Sequence, residues 1–408
     1  MGVRPVLAGI WGILMSPVCL AQTPVLNLYT FEAPPYQVAA PPDGVTGETV
    51  DTVTCAARQA GWQVRIRMAP PNRAIHALRR NMTDGYFAID PSTELGSVAT
   101  ISYPVALEKW HFYSLTPEPV SGSARIGVVD GSNEEAWLKT HGYSLFLTVS
   151  SPEQLIALLK KRRIDTALMD QRMMEDLRRS RPLTDSSDLH AHFLRYAPLH
   201  LYLSRQFTEN NSGFLARFNH FLPGCMDSHL TLSRQEHQHI RQLSTRLLRE
   251  LAGTIDLQDA LARAPDPGTL ADILTADGKW QALAPVPSSL ASKLLGLPAS
   301  RALDAWQQTH SELITEVLLI NRAGSLAALS RLSSDYWQGD EAKFRHIMDH
   351  PRDDQGQPAL YLSNIRYDAS TSMFQVSVSA ALVPGPGQPP NGVIVLGLDI
   401  GKALYHRN

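Results

Sequence analysis

Lysine and arginine (37) almost balance aspartate and glutamate (39), so the chain of 408 residues carries a net charge of only −2. So small an imbalance creates no global field to recruit nucleic acid or an anionic membrane. No zinc spacing, no nucleotide-binding loop and no basic patch with interleaved aromatics occurs. A Gly-x-Ser-x-Gly nucleophile elbow and a His-Glu-x-x-His helix are missing too. The fourteen histidines are scattered. His190 and His192 read as loop residues, and His237 and His239, two apart on a helix, do not share a face. After Gln22 no window approaches eighteen apolar residues, so no membrane span is expected in the mature chain. These absences argue against an enzyme, a nucleic-acid binder and a metal or cofactor site.

What is present begins with an export signal. Arg4 supplies an early positive charge, and an apolar stretch runs from Pro5 to Met15. Cys19-Leu20-Ala21 puts small residues before a cut at Gln22. Residues 1–21 are therefore expected to be a signal peptide and the mature protein periplasmic. The alternatives are an uncleaved anchor or a lipoprotein cut before Cys19, the latter opposed by Ser16-Pro17-Val18. Removing the signal leaves Cys55 and Cys225, which an oxidising compartment would join as a disulfide or leave as two thiols.

The remaining length, 44% apolar, suffices for two or three packed units. Val25 to Thr30 reads as a strand, Glu48 to Ala60 as a helix and Trp62 to Met68 as a strand. Arg73 to Arg80 reads as a helix and Tyr86 to Ile89 as a strand, giving an α/β layer with a parallel sheet. The pattern restarts with strands at Arg125 to Val129, Leu145 to Val149 and Asp165 to Met169. Helices open at Glu134 and after Ser151-Pro152. Tyr196 to Ser204 is a returning strand and Phe214 to Phe221 a helix. The texture changes at Cys225: Ser228 to Leu251 is a long amphipathic helix. From Glu316 the reading is β, interrupted by a helix from Asp340 to Met348, and closes on strands at Phe374 to Ala380 and Gly392 to Asp399.

The first half resembles the family-3 periplasmic solute-binding proteins, the two-lobed amino-acid-binding type. LYTFEAPPY, GVTGETVDTV, MAPPNRAIHALRRNMTDGYFAI, ISYPVALEKWHFYSL, IGVVDGSNEEAWL and RIDTALMD follow the order of that family's landmarks. The resemblance implies a type II periplasmic-binding-protein domain over 22–225. Lobe one would be about 22–112 and 198–225, and lobe two about 113–197. A ligand would sit between the lobes. The implied cleft residues are Glu32, Tyr36, Arg73, Tyr86, Asp90, Tyr103, Trp110, Ser132, Asn133 and Asp170. The family's carboxylate-clamping Arg, in a Thr-x-x-Arg context, is replaced here by Asp90-Pro91-Ser92-Thr93-Glu94. A standard amino acid is thus not the expected ligand, and a cationic or neutral one, such as a polyamine, is.

Residues 226–408 resemble a helical linker followed by a single Cache (PDC-type, PAS-like) sensor domain of α+β antiparallel-sheet type. The carrying stretches are ILTADGKW, EVLLINRAGSLAALSRLSSDYWQGDEAKF, LYLSNIRYDAST and the closing GVIVLGLDI. The implied pocket residues are Tyr336, Trp337, Asp340, Glu341, Arg366, Tyr367 and Asp368, with Asp340 and Glu341 also suited to the first turn of the following helix. Together the two resemblances imply a non-enzymatic, exported small-molecule binder that reports to a membrane receptor. The alternative is the substrate-binding subunit of an ABC-type transporter, whose partner is a permease.

Overall fold

The computed structural model of the protein describes residues 23–405 except 43, 94, 181–188, 227–230, 283–287, 353–355, 357, 369, 372 and 386. The expected signal peptide and Glu94 lie outside the described residues.

The first unit alternates strand and helix. β1 (Val25–Thr30) passes through the hairpin β2 (Val38–Ala40) and β3 (Gly44–Thr46) into α1 (Glu48–Gln59). Val50, Val53, Ala56 and Ala57 recur at helical spacing and form the buried face of α1. β4 (Gln63–Met68), α2 (Pro71–Arg79) and β5 (Gly85–Ile89) complete a parallel layer in the order β4-β1-β5. After β6 (Ala99–Ser114) come β7 (Ile126–Val129), α3 (Asn133–Thr140), β8 (Leu145–Val149), α4 (Pro152–Lys160), β9 (Thr166–Asp170) and α5 (Gln171–Ser180). Here too the strands are parallel, in the order β9-β7-β8. The hydroxyls of Ser132 and Ser151 accept the N–H groups of Glu135 and Gln154, capping α3 and α4. β10 (His190–Ser204) returns to the first layer, which α6 (Arg205–Asn210) and α7 (Phe214–Cys225) close.

Two lobes result, joined in one eight-stranded sheet by the antiparallel pair β6 and β10. Register locates the joint. β5 pairs with β10 only over His200–Leu203, and β9 pairs with β6 only over Trp110–Ser114. Between these, Ala106–Lys109 and Tyr196–Leu199 pair with each other and with no third strand. A two-stranded ribbon bends more readily than a sheet, so this stretch is the hinge.

The second unit opens with α8 (Arg234–Thr254), started by a capping box of Ser233 and Glu236. α9 (Leu257–Ala262), α10 (Leu270–Ala282), α11 (Ser289–Leu295) and α12 (Pro298–Thr309) lead to β11 (Ile314–Asn321) and β12 (Leu326–Leu329). After α13 (Ala342–Asp349) come β13 (Leu360–Leu362), β14 (Arg366–Asp368), β15 (Met373–Leu382), β16 (Gly392–Asp399) and α14 (Ile400–Tyr405). The sheet is antiparallel, in the order β12-β11-β16-β15-β13, with β14 also on β15. Helices cover both faces: Val317 and Leu319 pack with Leu243 and Leu247 of α8, whereas Leu318 and Ile320 pack with Ile273, Leu294 and Phe344. Among the described residues no helix is long and apolar enough to cross a membrane.

Two sequence expectations need correction. β6, read only as a crossover, is a strand of 16 residues, and β10 begins at His190, so His190 and His192 are strand residues. The cause is burial on both faces from Val105 to Ser114, which removes the two-residue alternation. α5 went unread because Met174 is its one fully buried residue, and only Met173 and Leu177, both half-buried, are apolar beside it.

Candidate functional site

A cavity of about 670 Å³ lies between the lobes, within the range of small-molecule sites. Lobe one contributes Phe31, Glu32 and the Met68–Pro71 turn, the hinge contributes Glu108, and lobe two contributes the Val129–Glu134 turn, Ser150–Glu153 and the inner side of α5. Its acids are Glu32, Glu108, Asp130, Glu134, Glu153 and Asp176, and among the described residues no lysine, arginine or histidine lines it.

The lobes touch directly beside this cavity. Asn133, at the start of α3, accepts the Asp90 N–H (3.0 Å) and donates to the Ala88 carbonyl (2.9 Å), so one amide fastens lobe two to the end of β5. Ala88 has φ 67°, a left-handed conformation uncommon outside glycine, and Asn133 holds the backbone that follows it, on either side of Ile89. The Tyr36 hydroxyl donates to Asp170 Oδ1 (3.2 Å). Arg172 forms a two-pronged ion pair with Glu48, its guanidinium 5.2 Å from the Tyr36 ring. Arg195 of β10 meets Asp90 Oδ2 at 3.1 Å and lies 5.0 and 5.3 Å from the rings of Trp110 and Trp137.

Asp170 organises this core. Its carboxylate accepts the Lys109 N–H (2.8 Å), the Arg172 and Met173 N–H groups (2.9 and 3.0 Å) and the Tyr36 hydroxyl, capping α5 while tying it to the hinge. Asp170→Ala orphans these donors and is expected to cost about 2–4 kcal/mol in urea unfolding. Asp170→Asn keeps an acceptor oxygen and should cost less.

Three carboxyl groups sit where water is scarce: Asp170 is 0%, Glu108 3% and Glu134 7% exposed. Burial, reinforced by the Asp170 charge, pushes Glu108 well above the carboxylate range even though the Trp110 indole donates to its Oε2 (2.7 Å). Burial raises Asp170 as well, against its hydrogen bonds, and lifts Glu134 from 4.5 to about 7. Glu108 and Glu134 line the cavity, and burial favours their neutral forms, so a cation entering beside them would stabilise their charged forms. The effect on stability has a definite sign. Between pH 4.5 and about 7 the folded chain retains a Glu134 proton that the unfolded chain has lost, so stability falls as pH rises through that window. Glu134→Gln should flatten this slope, with a gain on the order of 2–3 kcal/mol at pH 8 relative to the native chain, read from urea midpoints at pH 5 and pH 8.

The expected cleft residues divide. Glu32, Ser132 and Asn133 line the cavity, and Tyr36, Asp90, Trp110 and Asp170 form the bonded layer beside it. Three do not belong. Arg73 is exposed on α2, whose inward face is Ala74, Ala77 and Leu78. Tyr86 is core, packed on Phe31. Tyr103 faces the second unit, 5.5 Å from Tyr367. Sequence reasoning missed Glu108, Glu134, Trp137, Arg172 and Arg195. A buried acid at the start of a helix, as in Asn133-Glu134-Glu135, reads from sequence as an ordinary first turn.

Among the described residues, those expected to line a pocket in the second unit are divided between the two faces of its sheet. Tyr336 stacks on Trp280 (5.7 Å) on one face of the sheet, whereas Tyr367 packs with Phe374 on the other. Trp337 donates to the Ala323 carbonyl (3.2 Å), and Asp277 accepts the Tyr336 and Trp337 N–H groups. The ILTADGKW stretch is therefore a staple between α10 and this loop. Asp368 accepts from Gln375 Nε2 (2.6 Å), Arg366 and Asp340 are exposed, and Glu341 pairs with Lys343 (3.1 Å) without capping α13.

No family model matches the chain, and no curated protein matches it. Solved structures similar to it include the holo arginine-binding protein of T. maritima (15% identity, 50% of this chain and 92% of that one, TM-score 0.40). Others are a histidine kinase sensor domain with similarity to periplasmic binding proteins (16%, 48% and 88%, TM-score 0.41) and the GluR0 ligand-binding core from Nostoc punctiforme in complex with L-glutamate (18%, 48% and 91%, TM-score 0.39).

Proposed function

We propose that this protein is a ligand-binding sensor of the bacterial envelope whose two-lobed half closes on a small organic cation, of the diamine or polyamine kind. The observation that carries the reading is the lining: six acids, two of them almost fully buried, and no basic side chain among the described residues. A carboxylate ligand would face those acids with nothing to neutralise it, whereas an ammonium group would compensate them. The groups present bind and position, and the reading assigns them no catalytic step.

The same reading takes 1–21 as a signal peptide, 22–225 as a solute-binding domain and 226–408 as a Cache-like sensor module. A Cys55–Cys225 disulfide suits an oxidising compartment such as the periplasm. A signalling partner is favoured over a transporter permease because the second unit packs on the hinge: Leu107 and Tyr196 share a core with Ile240, Leu243 and Leu247 of α8. Capture of membrane proteins by the tagged chain separates the two, since a receptor supports the reading and a permease replaces it with uptake.

Ligand class is tested by thermal shift with spermidine, putrescine, L-glutamate and L-leucine. Ligand at about 100 times its dissociation constant adds about 2.7 kcal/mol to the folded state, a shift of several degrees. Spermidine or putrescine should produce it and L-glutamate should not. Stabilisation by L-glutamate alone would overturn the reading.

A further inference from the structure

We infer that Lys109 is a relay that couples closure of the cleft to the second unit through α8. Glu108 and Lys109 are consecutive in the hinge ribbon, and successive side chains of a strand point to opposite faces. Glu108 lines the cavity. Lys109 points away from it, and its ammonium reaches Glu236 Oε1 and Oε2 at 2.7 and 2.8 Å, with side-chain exposures of 6% and 15%. The ammonium lies 5.6 Å from the ring centroids of both Phe193 and Tyr196. At its other end, the Lys109 N–H donates to Asp170 in the bonded layer beside the cavity. One residue is thus bonded to the closure machinery by its backbone and to the second unit by its side chain.

Glu236 is also specifically placed. It is the capping-box residue of α8 and accepts the Ser233 N–H at 2.7 Å. The helix it starts carries Ile240, Leu243, Leu247 and Leu251 into the core of the second unit. When the lobes move, the ribbon must bend at Ala106–Lys109, because flanking strands hold β6 and β10 on either side. Bending carries the Lys109 ammonium relative to Glu236. That ion pair is shielded from water, so it is not easily exchanged for hydration, and the first turn of α8 must follow or lose its cap. Leu107, on the same face as Lys109 and in the same core as α8, adds an apolar grip. The coupling is reciprocal: whatever fixes α8 also biases the lobes toward open or closed.

The inference deepens the sensor reading, so its test has one arm that needs no ligand. Glu48→Gln removes the ion pair to Arg172 and loosens closure from a partly exposed site. Hydrogen exchange of residues 234–240 is then compared in the full chain, in Glu48→Gln, and in both with Lys109→Met or Glu236→Gln added. Exchange at the start of α8 should quicken at least about five-fold in Glu48→Gln, a typical lower bound for coupled sites. The change should vanish when either relay residue is replaced. The second arm adds spermidine to the unaltered chain, which should slow the same amides. An unchanged α8 in Glu48→Gln, or an equal response with and without Lys109, overturns the relay. A response to Glu48→Gln but none to spermidine supports the relay and overturns the cation reading instead.

Discussion

Glu134→Lys should weaken spermidine binding at least about 100-fold at pH 8. The substitution places an ammonium at the cavity wall formed by Glu108, Asp130 and Glu134. Two like charges about 5 Å apart at an effective dielectric of about 20 repel by about 3 kcal/mol, which is about two orders of magnitude in affinity. Glu134→Gln, which removes an attraction without adding a repulsion, should cost about ten-fold. Both variants should fold, because each relieves crowding among buried carboxyls that burial already holds above their usual range. In the unaltered chain affinity should rise with pH from 5 to about 7 and then level, because the entering cation must first displace the Glu134 proton. Calorimetric titration of the three chains at pH 6 and pH 8 measures both effects. Unchanged affinity in Glu134→Lys would mean that spermidine binds elsewhere.

The largest loss of stability is expected from opening the Cys55–Cys225 disulfide. It ties α1 to the end of α7 across 170 residues, and a loop of that length corresponds to about 5 kcal/mol of chain entropy in the unfolded state. Residual structure in the unfolded chain trims this, so the paired Cys55→Ala and Cys225→Ala variant should lose about 3–5 kcal/mol in urea unfolding. The loss should come mainly from the unfolded state, since α1 and α7 still pack through Val53, Ala56, Phe218 and Leu222. Alkylation without reductant should label neither cysteine of the native chain, whereas two labelled cysteines would show that the bridge does not form.

Much of the architecture was legible in the sequence because most elements of the first unit are buried on one face and keep their period. β1 and β8 were read to the residue, and α1 nearly so. Legibility failed where both faces are buried, as in β6, or where hardly anything is, as in α5. The candidate site was half legible. Turn residues such as Ser132 and Asn133 could be placed because a strand end followed by a cap has a local signature. Glu108 and Arg195 could not, because each lies in a hinge strand, where only tertiary pairing decides that Glu108 meets the cavity and Arg195 meets Asp90. Tyr336 and Tyr367, expected in one pocket, pack on opposite faces of the second sheet, which the separate motifs that carry them do not reveal.

The central claim is the sign of charge that the cleft accepts, and calorimetric titration at pH 8 with spermidine and with L-glutamate tests it most directly. The expected result is saturable binding of spermidine that is weakened in Glu134→Gln and nearly lost in Glu134→Lys, with no heat from L-glutamate. Saturable binding of L-glutamate, with none of spermidine, would contradict it.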